Sequence, residues 1–233
     1  MDMETVAIIG TGRMGSLIAR KLQSQYNLIL IDKDLRKCGL LAKEVSALAT
    51  SDYSLLSNSD YIITALPAQV FSEAVAELKN YVAQHQILIN ISTDTEKVEF
   101  EPLKGLCKLA SAKIIGHANY MVATNELPLI LIDGEDLAVR SKIAKIFSKL
   151  GTVCFGDEKI VKKVNNIASE EGIKAALNIK KRLEKANVPA EYIPFAIRNV
   201  ACGTMSAYAL GEGGPFVQKI IQKLSEEEKT DSI

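Results

Sequence analysis

The chain has no tryptophan, two histidines and four cysteines in 233 residues, and each scarcity removes a class of function. With aromatics at 6 %, there is little material for platforms that stack unpaired bases. Cys38, Cys107, Cys154 and Cys202 lie at least 47 residues apart, with no CxxC pair and no HxxxH pair. A structural zinc or iron–sulfur centre needs closer ligands, so no metal is expected. Four reduced thiols in a cytoplasmic compartment are the simpler reading. Excess charge is missing as well: 28 Lys+Arg balance 28 Asp+Glu, which argues against nucleic acid or an anionic membrane as a partner. The apolar run of the acidic start MDMETVAIIG breaks at Gly10, and no uninterrupted apolar stretch reaches 18 residues. Neither a signal peptide nor a membrane-spanning helix is expected.

What the chain does have is apolar substance in short runs. Hydrophobic residues make up 48 %, and a chain of this length buries roughly 70 % of the surface it would expose unfolded. Runs at 5–9, 28–31, 61–66, 87–91, 113–115, 129–132 and 152–155 read as strands, with a short extra one at 45–49. Helical spacing fills the intervals: 14–22, with Met14, Ile18 and Leu22 on one face, then 34–43, 70–78, and a segment opening at Gly134-Glu135-Asp136 and running to about 150. Near-continuous apolar strands separated by helices predict an α/β fold with a doubly wound, mostly parallel sheet covered on both sides.

The character changes at Asp157. A long helix without proline is expected to about residue 185, where Asn187-Val188-Pro189 breaks it. A second helix is expected over 190–210, stopped by Gly211-Glu212-Gly213-Gly214-Pro215, and a third from Pro215, with a tail from Ser225 onward that should fray. The expected division is a dinucleotide-binding domain at 1–156 and a short helical substrate and dimerisation domain at 157–233. The second is thin for an independent core. Apolar positions such as Ile173, Leu177, Phe195, Val200 and Tyr208 therefore suggest a homodimer formed through the C-terminal helices.

The most informative motif is Gly10-Thr11-Gly12-Arg13-Met14-Gly15. It follows a predicted strand and opens a predicted helix, the context that a dinucleotide-binding GxGxxG requires. Gly10 permits the tight turn, Gly12 lets a pyrophosphate approach the backbone, and Gly15 lets helix and strand pack closely. The free N–H groups at the helix start then meet phosphate charge. The fold expected is therefore of the Rossmann type. Asp32, 22 residues past Gly10, can accept hydrogen bonds from both ribose hydroxyls and would repel a 2′-phosphate, which favours NAD over NADP. Lys33 and Arg36 could each reach such a phosphate and pull the other way. Leu66 and Pro67 form a rigid strand-end turn beside the cofactor. Ser92 and Thr93 could bond the nicotinamide or the substrate, although Thr93 with Glu96 three residues on is also a capping-box spacing.

GTGRMG at 10–15, ITALPAQVFSEAV at 63–75 and ILINISTDTEKV at 87–98 resemble the β-hydroxyacid dehydrogenases, the superfamily of 3-hydroxyisobutyrate and 6-phosphogluconate dehydrogenases. Lys162-Lys163-Val164-Asn165-Asn166 is similar to the K-x-x-N-N of their first long helix, and the resemblance implies that Lys162 is the acid/base and Asn166 binds beside it. Two departures stand out. Asn90 occupies the position of a usual Asp, and Gly116-His117-Ala118-Asn119-Tyr120 stands where relatives carry a Ser-Gly-Gly substrate turn. In length the chain is similar to two cousins, the pyrroline-5-carboxylate reductases and the deazaflavin-dependent NADP reductases.

The helix pattern offers chemistry of its own. Lys162, Asn166 and Glu170 fall at i, i+4 and i+8, one stripe of a helix. Burial would lower the lysine pKa toward neutrality, as a reversible proton donor needs; a solvated salt-bridging stripe has the same spacing. His117, just past a strand end, is the other candidate proton donor, with Asn119 and Tyr120 as further substrate-binding donors. The expected activity is an NAD(P)-dependent oxidoreductase moving a hydride between nicotinamide and a small polar substrate such as a hydroxyacid. An imine reductase, a deazaflavin-linked reductase and a non-catalytic dinucleotide-binding protein are the alternatives.

Overall fold

The computed structural model describes residues 3–231. Two compact units divide it, 1–166 and 167–233, so the division falls inside the first long helix.

The first unit is built on one eight-stranded sheet, ordered β3-β2-β1-β4-β5-β6-β7-β8. Its central strands are β1 (Thr5–Ile9), β2 (Asn27–Ile31), β4 (Tyr61–Thr64) and β5 (Ile87–Asn90). They are apolar almost throughout because both faces are covered. Val6 and Ile8 join one core, whereas Ala7 and Ile9 join the other. That is the period-two alternation of a strand read out as two separate cores. Burying each such Ile contributes about 1.5–3 kcal/mol. Helices α1 (Arg13–Leu22), α2 (Leu35–Val45), α3 (Phe71–Leu78) and α5 (Leu137–Phe147) supply the covering layers, with α4 (Ala118–Thr124) as a short addition.

Several details differ from the sequence reading. The strand expected at 113–115 is β6 (Lys108–Ile115), eight residues long. Ser111 and Lys113 disguise it in sequence, yet both are buried. Its neighbour β7 (Leu129–Gly134) runs antiparallel to it, and β8 (Thr152–Phe155) is parallel to β7. The short strand expected at 45–49 forms as β3 (Leu48–Thr50), because α2 holds Val45 and the chain turns at Ser46 with φ 53°. A capping box at Thr93 does not form; the reciprocal pair is Glu96 with Glu99, at the head of a 3-10 helix, Lys97–Leu103.

The second unit carries the greater part of α6 (Lys159–Lys185), which ends just before Asn187 in the left-handed region. The helix expected over 190–210 is a composite. A 3-10 turn (Ala190–Tyr192) leads into α7 (Ile193–Phe195), a π-helical stretch (Ala196–Ala201) and α8 (Cys202–Ala209). The last helix, α9 (Pro215–Asp231), continues past Ser225 where fraying was expected, with Lys223 and Glu227 paired across one turn. The remainder of that tail, Ser232 and Ile233, lies outside the described residues. Among the described residues no helix is long and apolar enough to cross a membrane.

Candidate functional site

The glycine loop is built by three different steric demands. Gly10 closes β1 with φ 95°, and a Cβ there would stand 2.6 Å from the Ala65 carbonyl oxygen. At Gly15 a Cβ would lie 2.0 Å from the Gly10 carbonyl oxygen, so helix and turn touch backbone to backbone. At Gly12 a Cβ would meet nothing within 4 Å. Gly12 is also the N-cap of α1, and no side chain caps the helix there. The first-turn amides and the positive end of the helix dipole are thus left for an external anion. Arg13, exposed at the first helical position, adds a positive charge.

A cavity of about 820 Å³ opens beside this loop, lined by Gly10, Gly12 and Arg13 together with Asp32, Lys33 and Tyr53. Leu66 and Pro67 form part of its wall, and Glu73 and Glu77 of α3 add carboxylates. Asp32 follows β2 and is partly buried. Its Oδ2 accepts from Thr11 N at 2.6 Å and Thr11 Oγ1 at 2.7 Å, and its Oδ1 from Asp34 N at 3.0 Å. Desolvation pushes the carboxyl pKa up, but these three donors and Lys37 together outweigh it and hold it below the ordinary aspartate value. Asp32 is therefore a carboxylate, with roughly one of its four acceptor sites still free.

A second, smaller cavity of about 180 Å³ shares Ala65 with the first and is lined further by Met14, Ile91, Ser92, Thr93, Ile114 and Gly116. Its wall is a turn held from within. The Asn90 side chain accepts from Ser92 N at 2.9 Å and donates to the Thr95 carbonyl at 3.1 Å. The Ser92 hydroxyl donates to the Leu66 carbonyl, tying this turn to the Leu66–Pro67 turn. Both cavities sit past the carboxyl ends of parallel strands, the place where open α/β sheets bind ligands.

The candidate proton-handling residues are more scattered. Lys162 is 48 % exposed and pairs with Asp94 at 3.5 Å. It is Asn165, not Asn166, that reaches back to the sheet, donating to the Ile114 carbonyl at 2.9 Å; Asn166 is exposed. Glu170 belongs to the second unit and pairs with Lys174 at 2.6 Å. His117 is the exposed N-cap of α4, with Asn119 and Tyr120 exposed on that helix. The structure therefore gathers the glycine loop, Asp32, Lys33, Leu66 and Pro67 around one cavity and Met14 with Ser92 around the other. Sequence reasoning missed Tyr53 and the buried Lys113. The signal for Lys113 was a lone lysine inside an otherwise apolar stretch, KIIG at 113–116.

The site fits a dinucleotide on two structural grounds: open space where Gly12 lacks a Cβ, and an uncapped helix start aimed beside a carboxylate-ended cavity. Comparisons with known proteins agree. Residues 5–94 match the family described as NADP oxidoreductase, coenzyme F420-dependent. A curated relative, the T-protein of Haemophilus influenzae, is 26 % identical over 117 residues, about half of this chain and about a quarter of that protein's length. Among solved structures, a pyrroline-5-carboxylate reductase from Coxiella burnetii superposes with a TM-score of 0.75 at 13 % identity, covering 99 % of this chain and 93 % of its own. The 3-hydroxyisobutyrate dehydrogenase of Mycobacterium tuberculosis gives 0.65 at 17 % identity, over 81 % and 68 %. The chain thus shares the fold of a pyrroline-5-carboxylate reductase and of a 3-hydroxyisobutyrate dehydrogenase, and its residues 5–94 match a family of NADP oxidoreductases.

Proposed function

We infer that this chain binds NAD in preference to NADP and catalyses hydride transfer between its nicotinamide and a small polar substrate. The observation that carries the reading is the uncapped, open helix start at Gly12 beside a cavity that also holds Asp32 and shares Ala65 with the smaller one. The bound cofactor supplies the hydride. The chain's own residues do the rest. The α1 amides and Arg13 hold the pyrophosphate, Asp32 takes a ribose hydroxyl, and Tyr53 offers a half-buried ring at the adenine end. Ser92 and Thr93 bound the space for the ring at the other end. The acidic lining of Asp32, Glu73 and Glu77 disfavours a 2′-phosphate by like charge, against Lys33 in the same cavity and Arg36 close by in sequence.

For the substrate, two readings divide on particular residues. A hydroxyacid dehydrogenase needs a proton donor at the reacting oxygen, for which Lys162, in one helical stripe with Asn166 and Glu170, or His117 with Asn119 and Tyr120, are the candidates. An imine reductase needs less, because the iminium nitrogen is already protonated. The exposure of Lys162 and the match to a pyrroline-5-carboxylate reductase along nearly the whole chain favour the imine. The helical unit is read as the dimerisation element.

The experiment is a fluorescence titration with NADH and NADPH, repeated on Asp32→Ala, followed by turnover on cyclic imines and small hydroxyacids. Tighter NADH than NADPH binding that Asp32→Ala abolishes supports the reading. Equal affinities unchanged by the substitution would remove Asp32's role, and turnover of hydroxyacids that Lys162→Ala destroys would return the substrate assignment to the dehydrogenase class.

A further inference from the structure

Lys113 stands where a lysine is costly. Its side chain is 2 % exposed on β6, and an unpaired buried ammonium would be driven to lose its proton. The fold gives it two carbonyl acceptors and a facing carboxylate charge. It donates to the Ser92 carbonyl, to the Thr95 carbonyl at 2.5 Å, and faces Glu158 Oε2 at 3.5 Å. Glu158 is itself 5 % exposed, and its Oε1 accepts from Lys97 N at 2.5 Å. Glu158 Oε2 has no hydrogen-bond donor, so the Lys113 charge is what compensates it.

The two carbonyls that Lys113 grips are the ends of the 92–95 turn, the wall of the smaller cavity. By strand alternation its neighbour Ile114, which lines that cavity, points to the opposite sheet face. Lys113 therefore approaches the turn from behind and contributes nothing to the cavity surface. A methionine would fill the same space without the desolvation cost, so the charge itself needs a reason.

We propose that Lys113, held by Glu158, is a positioning residue that fixes the 92–95 turn so that Ser92 and Thr93 shape the berth of the nicotinamide ring. This rests on the cofactor reading above and adds to it a group that touches neither cofactor nor substrate. Burial lowers the Lys113 pKa to about 8, while Glu158, Glu99 and Glu96 pull it back up. Along the same β6 face, Asp133 opposite Ser111 is paired with Lys97 at 3.0 Å, and Glu135 accepts from the Leu109 amide at 3.4 Å. Mildly alkaline solution thus discharges the clamp and leaves Glu158 uncompensated.

The test compares NADH with ADP-ribose, which has the same pyrophosphate and adenosine but no nicotinamide. Neither ligand titrates between pH 7 and about 9, so any pH step there belongs to the protein. In Lys113→Met, NADH affinity should fall about tenfold while ADP-ribose affinity stays within about twofold. Glu158→Gln should shift NADH in the same direction by a smaller factor. Wild-type NADH affinity should fall on passing from pH 7 to about 9 with ADP-ribose unaffected, and this measurement needs no variant should Lys113→Met fail to fold. Equal losses for both ligands, no loss for either, or a flat wild-type NADH profile would each overturn the positioning role. A wild-type protein that binds neither NADH, NADPH nor ADP-ribose would instead show that the cofactor reading itself is wrong.

Discussion

Thr11 and Asp32 are joined twice: the Thr11 amide and the Thr11 hydroxyl both donate to the same carboxylate oxygen, at 2.6 and 2.7 Å. The loop that would hold pyrophosphate and the acid that would hold ribose are thereby one rigid unit, 21 residues apart in sequence. The hydroxyl also competes with a ribose for that oxygen. In Thr11→Val the amide bond remains and an acceptor site is released, so NADH should bind as tightly as in wild type or up to about threefold tighter. A titration showing tenfold weaker binding would mean that the threonine hydroxyl serves the cofactor directly.

The same hydrogen bonds make Asp32 a source of acid sensitivity. Its pKa lies below the unfolded value, so the folded state binds fewer protons than the unfolded one in the acid range. Stability from this group is complete above the unfolded value of 3.8 and is lost as pH falls through the lower folded value. Asp32→Asn should unfold more easily than wild type at pH 6, with the two urea midpoints drawing together as pH falls below 3.8. A difference that stays constant across this range would place the cost in packing and not in the charge.

The glycines separate folding from binding. Gly15→Ala puts a methyl 2.0 Å from a carbonyl oxygen on neighbouring backbone, and overpacking of this kind costs about 1–3 kcal/mol or more. Gly12→Ala meets nothing within 4 Å, so its melting temperature should stay close to wild type. Its added methyl nevertheless occupies the space through which a pyrophosphate would approach. Loss of NADH binding in a Gly12→Ala protein of unchanged stability is the expected result. Retained affinity would mean that the phosphates do not pass over this residue.

Why some of this could be read from sequence and some could not follows from the chemistry involved. Glycine, proline and buried β-branched residues act locally, so the first strand, the loop at 10–15, Asp32 and the Leu66–Pro67 turn were all visible as text. Lys113 was not, because its meaning depends on Glu158, 45 positions away, and on two carbonyls that look like any others. Polar residues at 111 and 113 likewise hid most of β6, since burial of a polar group is decided by partners that periodicity does not show. The spacing of Lys162 leaves a buried proton donor and a solvated ion pair equally open; the structure shows it half-exposed beside Asp94, whereas the buried lysine is Lys113. The π-helical stretch at Ala196–Ala201 is not legible as such in the sequence; Pro194 just before it marks an irregular helix start but not its kind.

The second unit leaves apolar side chains uncovered. Ile173 and Leu177, one turn apart on α6, are 63 % and 62 % exposed, and Val200 and Tyr208 are exposed further on. A second copy of the chain would remove this surface from water, at about 25 cal/mol per Å². Light scattering at micromolar concentration should give twice the chain mass of 25.4 kDa. The pair Ile173→Glu with Leu177→Glu should reduce it to one chain while leaving the NADH titration of the first unit intact. A wild-type protein that scatters as a single chain would refute the dimer.

Lys113 also governs stability at high pH, in the direction opposite to its effect on binding. The folded value is about 8 and the unfolded value 10.5. Between them the unfolded chain holds a proton that the folded chain has released, so this group raises the unfolding free energy as pH increases. The full shift corresponds to about 3–4 kcal/mol at most. Other groups oppose it: burial pushes Cys107 up to about 12, and such raised acids favour the unfolded state as pH climbs. The difference between wild type and Lys113→Met cancels those shared contributions. That difference should move in favour of wild type from pH 8 to about 10.5 and level off above it. If it stays level across the whole interval, the ammonium is not losing its proton in the folded state, and the alkaline loss of NADH affinity would need another titrating group.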